Sequence, residues 1–292
     1  MRVTQSMIST STLRHLNTSM SQLKLYQDQL STGKKITRPS QDPVVAMNGM
    51  RYRTQLVEVQ QFKRNLGEAY NWMDSADSAL NDTTSALQRI RELTVQASND
   101  TYEEGQRENI AEEVRQLKEH LESLANTKSN NKYIFNGTNT TNKPVDLEND
   151  TFSTNTHDVE LELLKGVKVP VNVSPQNVFS QQMFNDIQQL ENMLMNEDTT
   201  AEELSAMLDT VDGHINNAIN ERAALGARVN RVEMMDQRLQ DQKVLATRIM
   251  SDNEDADLAE VITQLLTQEN VHRAALSSSS RIIQPSLLDF LR

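Results

Sequence analysis

The chain has 292 residues, a formal net charge of −12, 37% hydrophobic and 4% aromatic residues, only 8 Gly and 6 Pro, and no Cys. So little aromatic bulk and so few breakers suit long helices buried along narrow stripes, not a thick globular interior. Disulfides, zinc–thiolate sites and thiol nucleophiles are excluded, and an acidic chain without a dense basic run argues against nucleic acid and against an anionic membrane surface as partners.

In chain order, Leu13, Leu16, Met20, Leu23, Gln27 and Leu30 alternate threes and fours, the a/d spacing of a coiled-coil-like helix. Gly33 suits the cap that ends it. Pro39 and Pro43 then predict an extended, stiff connector, with Pro43 after Asp42 placed to open a new helix. From Val59 through Phe62, Leu66, Ala69, Met73, Ala76, Leu80, Thr83, Leu87, Ile90, Thr94 and Ala97 the same spacing runs without a break. A helix over 43–98 is roughly 84 Å long. Thr101 with Glu104 reads as a capping box for a second helix burying Ile110, Val114, Leu117, Leu121 and Leu124.

Residues 128–177 change character. Asn-rich turns precede two alternating runs, Val159, Leu161, Leu163 and Val167, Val169, Val171, Val173, separated by Lys165-Gly166. This predicts a small β-rich insertion with at least one hairpin. Helix returns with Met183, Phe184, Ile187, Leu190 and Leu194. A second capping box, Thr200 with Glu203, opens a long stripe from Leu204 through Val211, Ala218, Leu225, Val232 and Leu239 to Met250. Two long helices of similar length are best buried antiparallel. A last segment holds Leu258, Val261, Ile262, Leu265 and Leu266, and an apolar tail holds Leu287, Leu288, Phe290 and Leu291.

The expected architecture is mainly α, a long antiparallel helical bundle or coiled coil built from both chain halves, with a small β-rich central insertion. The expected segments are 1–42, the N-terminal half of an inner coiled-coil domain plus connector; 43–127, half of a helical rod; 128–177, the outer insertion; 178–254, the returning half of the rod; and 255–292, the C-terminal half of the inner domain. The thin terminal seams bury too little to repay the ordering of their backbones, so both ends are expected to order against other subunits. The candidate subunit- or partner-binding residues are Leu13, Leu16, Met20, Leu23, Leu30, Leu258, Val261, Ile262, Leu265, Leu266, Leu287, Leu288, Phe290 and Leu291.

Chemistry-bearing residues are sparse. His15, His120, His157, His214 and His272 show no metal-ligand spacing, and the Ser277–Ser280 run has no paired base. The acidic run Asp252, Glu254, Asp255 and Asp257 reads as helix-start charge. Asn136 and Asn139 head formal glycosylation sequons but read as turn residues. Arg222, Arg228 and Arg231 read as surface ion pairs. No catalytic constellation, metal site or cofactor is expected. One alternative is a free coiled-coil effector dimerising through Leu13–Leu30.

Several strings carry a resemblance. Leu30-Ser31-Thr32-Gly33-Lys34-Lys35-Ile36 with Pro39-Ser40-Gln41-Asp42-Pro43 resembles the connector of the flagellin superfamily. Arg91-Glu92-Leu93-Thr94-Val95-Gln96-Ala97, Leu225-Gly226-Ala227 with Asn230-Arg231, and Glu254-Asp255-Ala256-Asp257 with Ala259 are similar to its helix motifs, in the same order. Within the family, Met1-Arg2-Val3-Thr4-Gln5-Ser6-Met7, the Pro39…Pro43 connector, Asn131 to Thr138, and Ser286 to Leu291 are similar to the subunits that join hook to filament; Arg292 is more like a filament subunit, which is the alternative. The resemblance implies a structural protein of the bacterial flagellum that supports filament assembly and motility. It also implies type III export without a cleaved signal peptide and a flagellar export chaperone on the C-terminal helix. Hook-associated protein 1, flagellin and further copies in a junction ring are the implied partners.

Overall fold

The computed structural model describes residues 5–99, 104–196 and 198–283. Its helices are α1 (Gln5–Thr32), α2 (Pro43–Ala97), α3 (Glu104–Ala125), α4 (Pro175–Val178), α5 (Gln181–Met195), α6 (Ala201–Glu254) and α7 (Leu258–Ile283). Between α3 and α4 lie β1 (Lys128–Ser129), β2 (Lys132–Tyr133), β3 (Val145–Asp146), β4 (Thr151–Phe152), β5 (Glu160–Leu164) and β6 (Val167–Pro170). The chain forms two compact units: one takes in the residues up to Glu58 and from Gln242 onward, the other Val59–Asp241.

In the Val59–Asp241 unit, α2, α3, α5 and α6 form an up-and-down bundle. Neighbours around the bundle are joined in turn by polar pairs: Arg89–Glu113 (2.8 Å), Lys118–Glu191 (2.6 Å), Asp186–His214 (2.8 Å) and Arg222–Asp77 (2.8 Å). The expected α2 stripe is the buried one, from Val59 to Ala97, with Phe62 half-buried. A second heptad row, Trp72, Ala79, Ala86 and Leu93, is buried beside it. A helix flanked by two neighbours needs a wider apolar arc than a single a/d seam supplies. On α6, Leu204, Val211, Ile215, Ala218, Leu225, Val232 and Leu239 are buried. Thr200 and Glu203 close the capping box reciprocally, at 3.3 and 3.0 Å. The other expected box, at Thr101, lies outside the described residues.

The insertion is three antiparallel two-stranded pairs, β1–β2, β3–β4 and β5–β6. Asn130 and Asn131, at φ 49° and 64°, turn β1 into β2. Lys165-Gly166 turns β5 into β6, and a bulge puts Leu163 and Leu164 both inward. The insertion shares its core with the helices of its unit: Phe135 meets Phe179 edge-on at 4.9 Å, and Phe152 packs on Phe184 of α5 at 5.6 Å. Arg228 was expected in an ion pair. It instead donates to the carbonyl of Asn172 at 2.7 Å, tying α6 to the insertion. Asn136 is buried and donates to the Asn142 carbonyl, so its amide serves the turn.

In the other unit, α1 and α7 lie antiparallel, with Ser19 opposite Gln268 and His272. Among the described residues, no helix is long and apolar enough to cross a membrane.

Candidate assembly interface

The first feature is a clamp where the connector meets the start of α7. Gly33, at φ 68°, caps α1 in the left-handed region and donates to the Gln29 carbonyl at 2.8 Å. This reversal lays Lys34 antiparallel to Asp255 as an isolated β-bridge, with Lys35 N–H on the Glu254 carbonyl (2.7 Å) and Ala256 N–H on the Gly33 carbonyl (2.9 Å). Side chains repeat the link. Lys34 Nζ is 2.6 Å from Asp255 Oδ1, Arg53 Nη2 is 2.7 Å from Glu254 Oε2, and Lys35 Nζ donates to the Asp252 carbonyl at 2.6 Å.

Glu254 is only 5% exposed and sits over Gly49, where any Cβ would overlap its carboxylate. Hydrogen bonds from Lys34 and Ser251 hold the Asp255 carboxyl below the usual carboxylate range, and the Asp255 hydrogen bond raises Lys34.

Two expectations are corrected here. The acidic run is not simply helix-start charge. Asp257 does cap α7, accepting from Ala259 N–H at 2.9 Å, but Glu254 and Asp255 are clamp residues. Nor is the connector merely extended. Gln41 Oε1 accepts from the N–H groups of Thr37 (2.7 Å) and Arg38 (3.1 Å), folding residues 37–41 into a turn. The two prolines alone suggest a stiff extended segment, but it is the Gln41 side chain that closes the loop. Asp42 then caps α2 through Val44 and Val45 N–H, at 2.9 and 3.1 Å.

The second feature is the α1/α7 pair. Among the less exposed positions of α1 are Thr12, Leu16, Ser19, Leu23 and Tyr26, and among those of α7 are Val261, Leu265, Gln268, His272, Ala275 and Ser279. Both sets keep 3-4 spacing, so they are the two sides of one antiparallel seam. At its middle is a polar layer. Gln268 Nε2 donates to Ser19 Oγ at 3.0 Å, and His272 Nδ1 lies 3.1 Å from the same oxygen.

Of the expected site residues, Leu16, Leu23, Val261 and Leu265 belong to this internal seam. Leu13, Met20, Leu30, Leu258, Ile262 and Leu266 are exposed. The seam is therefore rotated from the Leu13–Leu30 register that the apolar residues alone suggest, because small and polar residues fill half its positions. At about 100° per residue, Leu13 and Met20 on α1 are offset from the seam in the same sense as Leu258, Ile262, Leu266 and Leu276 on α7. In an antiparallel pair, equal offsets fall on one side, so both helices contribute to a single exposed apolar face. Met20 is 61% and Leu266 55% exposed there. Met47, Met50 and Val57 form a further exposed row on α2. The expected residues Leu287, Leu288, Phe290 and Leu291 lie outside the described residues.

His214 pairs with Asp186, and no cluster of three potential metal ligands occurs among the described residues.

Comparison with known proteins places the helical parts. The model for the bacterial flagellin N-terminal helical region matches residues 3–140, and that for the bacterial flagellin C-terminal helical region matches residues 208–291. The flagellar hook-associated protein 3 of Escherichia coli K12 is 24% identical over 94% of this chain and 95% of its own length. The flagellin of Bacillus subtilis 168 is 25% identical over 93% and 92%. The crystal structure of flagellar hook-associated protein 3 from Legionella pneumophila shares the fold with a TM-score of 0.64 at 16% identity, covering 70% of this chain and 98% of that one. With both family models matched in order, on the helices that form the clamp, the bundle and the terminal seam, the chain belongs to the flagellin family.

Proposed function

We propose that this chain is a structural subunit of the bacterial flagellum, forming the junction between hook and filament and supporting filament assembly. The observation that carries this reading is the apolar face shared by α1 and α7. It lies outside the seam those helices use on each other, so it remains for other subunits. Membership of the flagellin family supports assembly into a flagellar lattice. Full-length similarity to the E. coli hook-associated protein 3, with the Pro39…Pro43 connector, favours the junction over the filament. Comparable similarity to the B. subtilis flagellin makes the filament subunit the second reading.

On this reading the terminal helices form the inner, tube-lining part, the long helices the rod, and the insertion the outer surface. The exposed Leu13, Met20, Leu258, Ile262 and Leu266, with the tail residues Leu287, Leu288, Phe290 and Leu291, meet neighbouring copies, hook-associated protein 1 and flagellin. The chain leaves the cell by flagellar export with a chaperone on the C-terminal helix. Its role is geometric, with no catalysis.

Deletion of the gene tests this. Hooks without filaments, with flagellin shed into the medium, are the expected outcome by electron microscopy and immunoblot. Hooks with no flagellin made would favour the filament reading, and normal filaments would overturn both. A stable dimer of the purified chain through Leu13–Leu30 would instead support the free coiled-coil alternative.

A further inference from the structure

A half-open cavity of about 150 Å³ lies between the connector and the first turns of α2. Ile36, Val45 and Met50 give it apolar walls, and Lys34, Arg38 and Arg53 put three cations around it against the one carboxylate of Glu254. Lys34 and Arg53 are engaged by Asp255 and Glu254. Arg38 is exposed and, among the described residues, has no ion-pair partner. The cavity thus suits one compact apolar group with a carboxylate beside it. A volume of about 150 Å³ is enough for a group the size of a benzene ring.

The C-terminal tail carries such a pair. Of the six phenylalanines, Phe62, Phe135, Phe152, Phe179 and Phe184 pack in or against the core of the Val59–Asp241 unit. The sixth, Phe290, follows Asp289 in the tail Leu287-Leu288-Asp289-Phe290-Leu291. The tail cannot reach the cavity of its own chain. α7 starts beside the clamp and runs 26 residues away from it, about 39 Å. Phe290 lies seven residues beyond Ile283, and seven extended residues return at most about 25 Å.

We propose that the cavity receives the tail of a second copy of this chain, with that copy's Phe290 in the apolar part and its Asp289 paired with Arg38. The contact joins two different surfaces, so it is heterologous and links copies head to tail, as successive subunits of a ring are linked. It rests on the reading that the chain assembles through its ends, and it names one partner surface for them.

The test is the binding of a fluorescein-labelled peptide of residues 284–292 to the purified full-length chain, followed by anisotropy. Saturable binding is expected. It should weaken about tenfold or more for peptides carrying Asp289→Asn or Phe290→Ser, and for the Arg38→Glu protein. An Asp289→Lys peptide should regain affinity on Arg38→Glu. Circular dichroism shows whether that variant keeps its helical content, and Met50→Gln, which leaves every clamp pair in place, should also weaken binding. No binding, or binding indifferent to all of these changes, would overturn the proposal. In cells, a Phe290→Ser chain that fully restores hook-attached filaments to a deletion strain lacking them would overturn it while leaving the structural role intact. Filaments that persist in the deletion strain itself would remove the structural role first.

Discussion

Lys34 Nζ lies 2.6 Å from Asp255 Oδ1, on the same two residues whose backbones form the antiparallel bridge between connector and α7. Main chain and side chains therefore close one contact twice, and protonation weakens only the side-chain part. The Asp255 carboxyl is held low, so its contribution is present above the unfolded value of about 3.9 and is lost as pH falls through the folded pKa. Lys34 is held high, so its contribution is present below about 10.4 and is lost as pH rises through the folded pKa. Amide protection at Lys35 and Ala256, taken relative to intrinsic exchange at each pH, should be highest between these limits and fall beyond either. A flat profile would show that the bridge does not depend on the ion pair.

Gly49 makes room for the buried Glu254 carboxylate. Gly49→Ala should displace that carboxylate from Arg53. Since the end of a flexible side chain does the moving, the cost should stay near 1 kcal/mol. Limited proteolysis should show faster cleavage at residues 34–42 with the helical content unchanged; unaltered cleavage would mean the clamp tolerates the shift.

Lys118 and Glu191 form a pair with side chains 11% and 7% exposed, whereas Arg222 and Asp77 meet at 40% and 46%. Lys118→Met should cost about 3–5 kcal/mol by stranding a buried carboxylate, and the double change Lys118→Met with Glu191→Leu should recover most of it. Arg222→Ala should cost about 1 kcal/mol or less. Urea unfolding followed by Trp72, which is the single tryptophan and lies in the same unit, measures all three. Equal losses for the two single variants would contradict the assignment of one pair as interior.

Leu265 and Leu266 are adjacent in sequence but face different surroundings, Leu265 in the α1/α7 seam and Leu266 on the exposed apolar face. Leu265→Asp should loosen α1 from α7 and block incorporation into the flagellum. Leu266→Asp should block incorporation while leaving amide protection in α1 and α7 unchanged. Leu288→Asp should also block incorporation with the helical core folded. Normal filaments with Leu266→Asp would remove that face from the assembly contacts.

Much of this architecture is written in local pattern. The stripe from Val59 to Ala97, the cap at Gly33, the helix start at Pro43, the Thr200–Glu203 box and the Lys165-Gly166 turn each depend on backbone preference or on a periodicity that one segment carries alone.

What only the tertiary structure decided is which surface meets which. A heptad pattern shows that a helix has an apolar face but does not name its partner, so the rotation of the α1/α7 seam onto Thr12, Ser19, Gln268 and His272 was hidden behind the louder leucines. Glu254 over Gly49, Arg228 on the Asn172 carbonyl and the second buried row on α2 depend on neighbours distant in sequence. Their roles come from long-range packing, where a charged or small residue is placed by the shape of the element opposite and not by its own propensity.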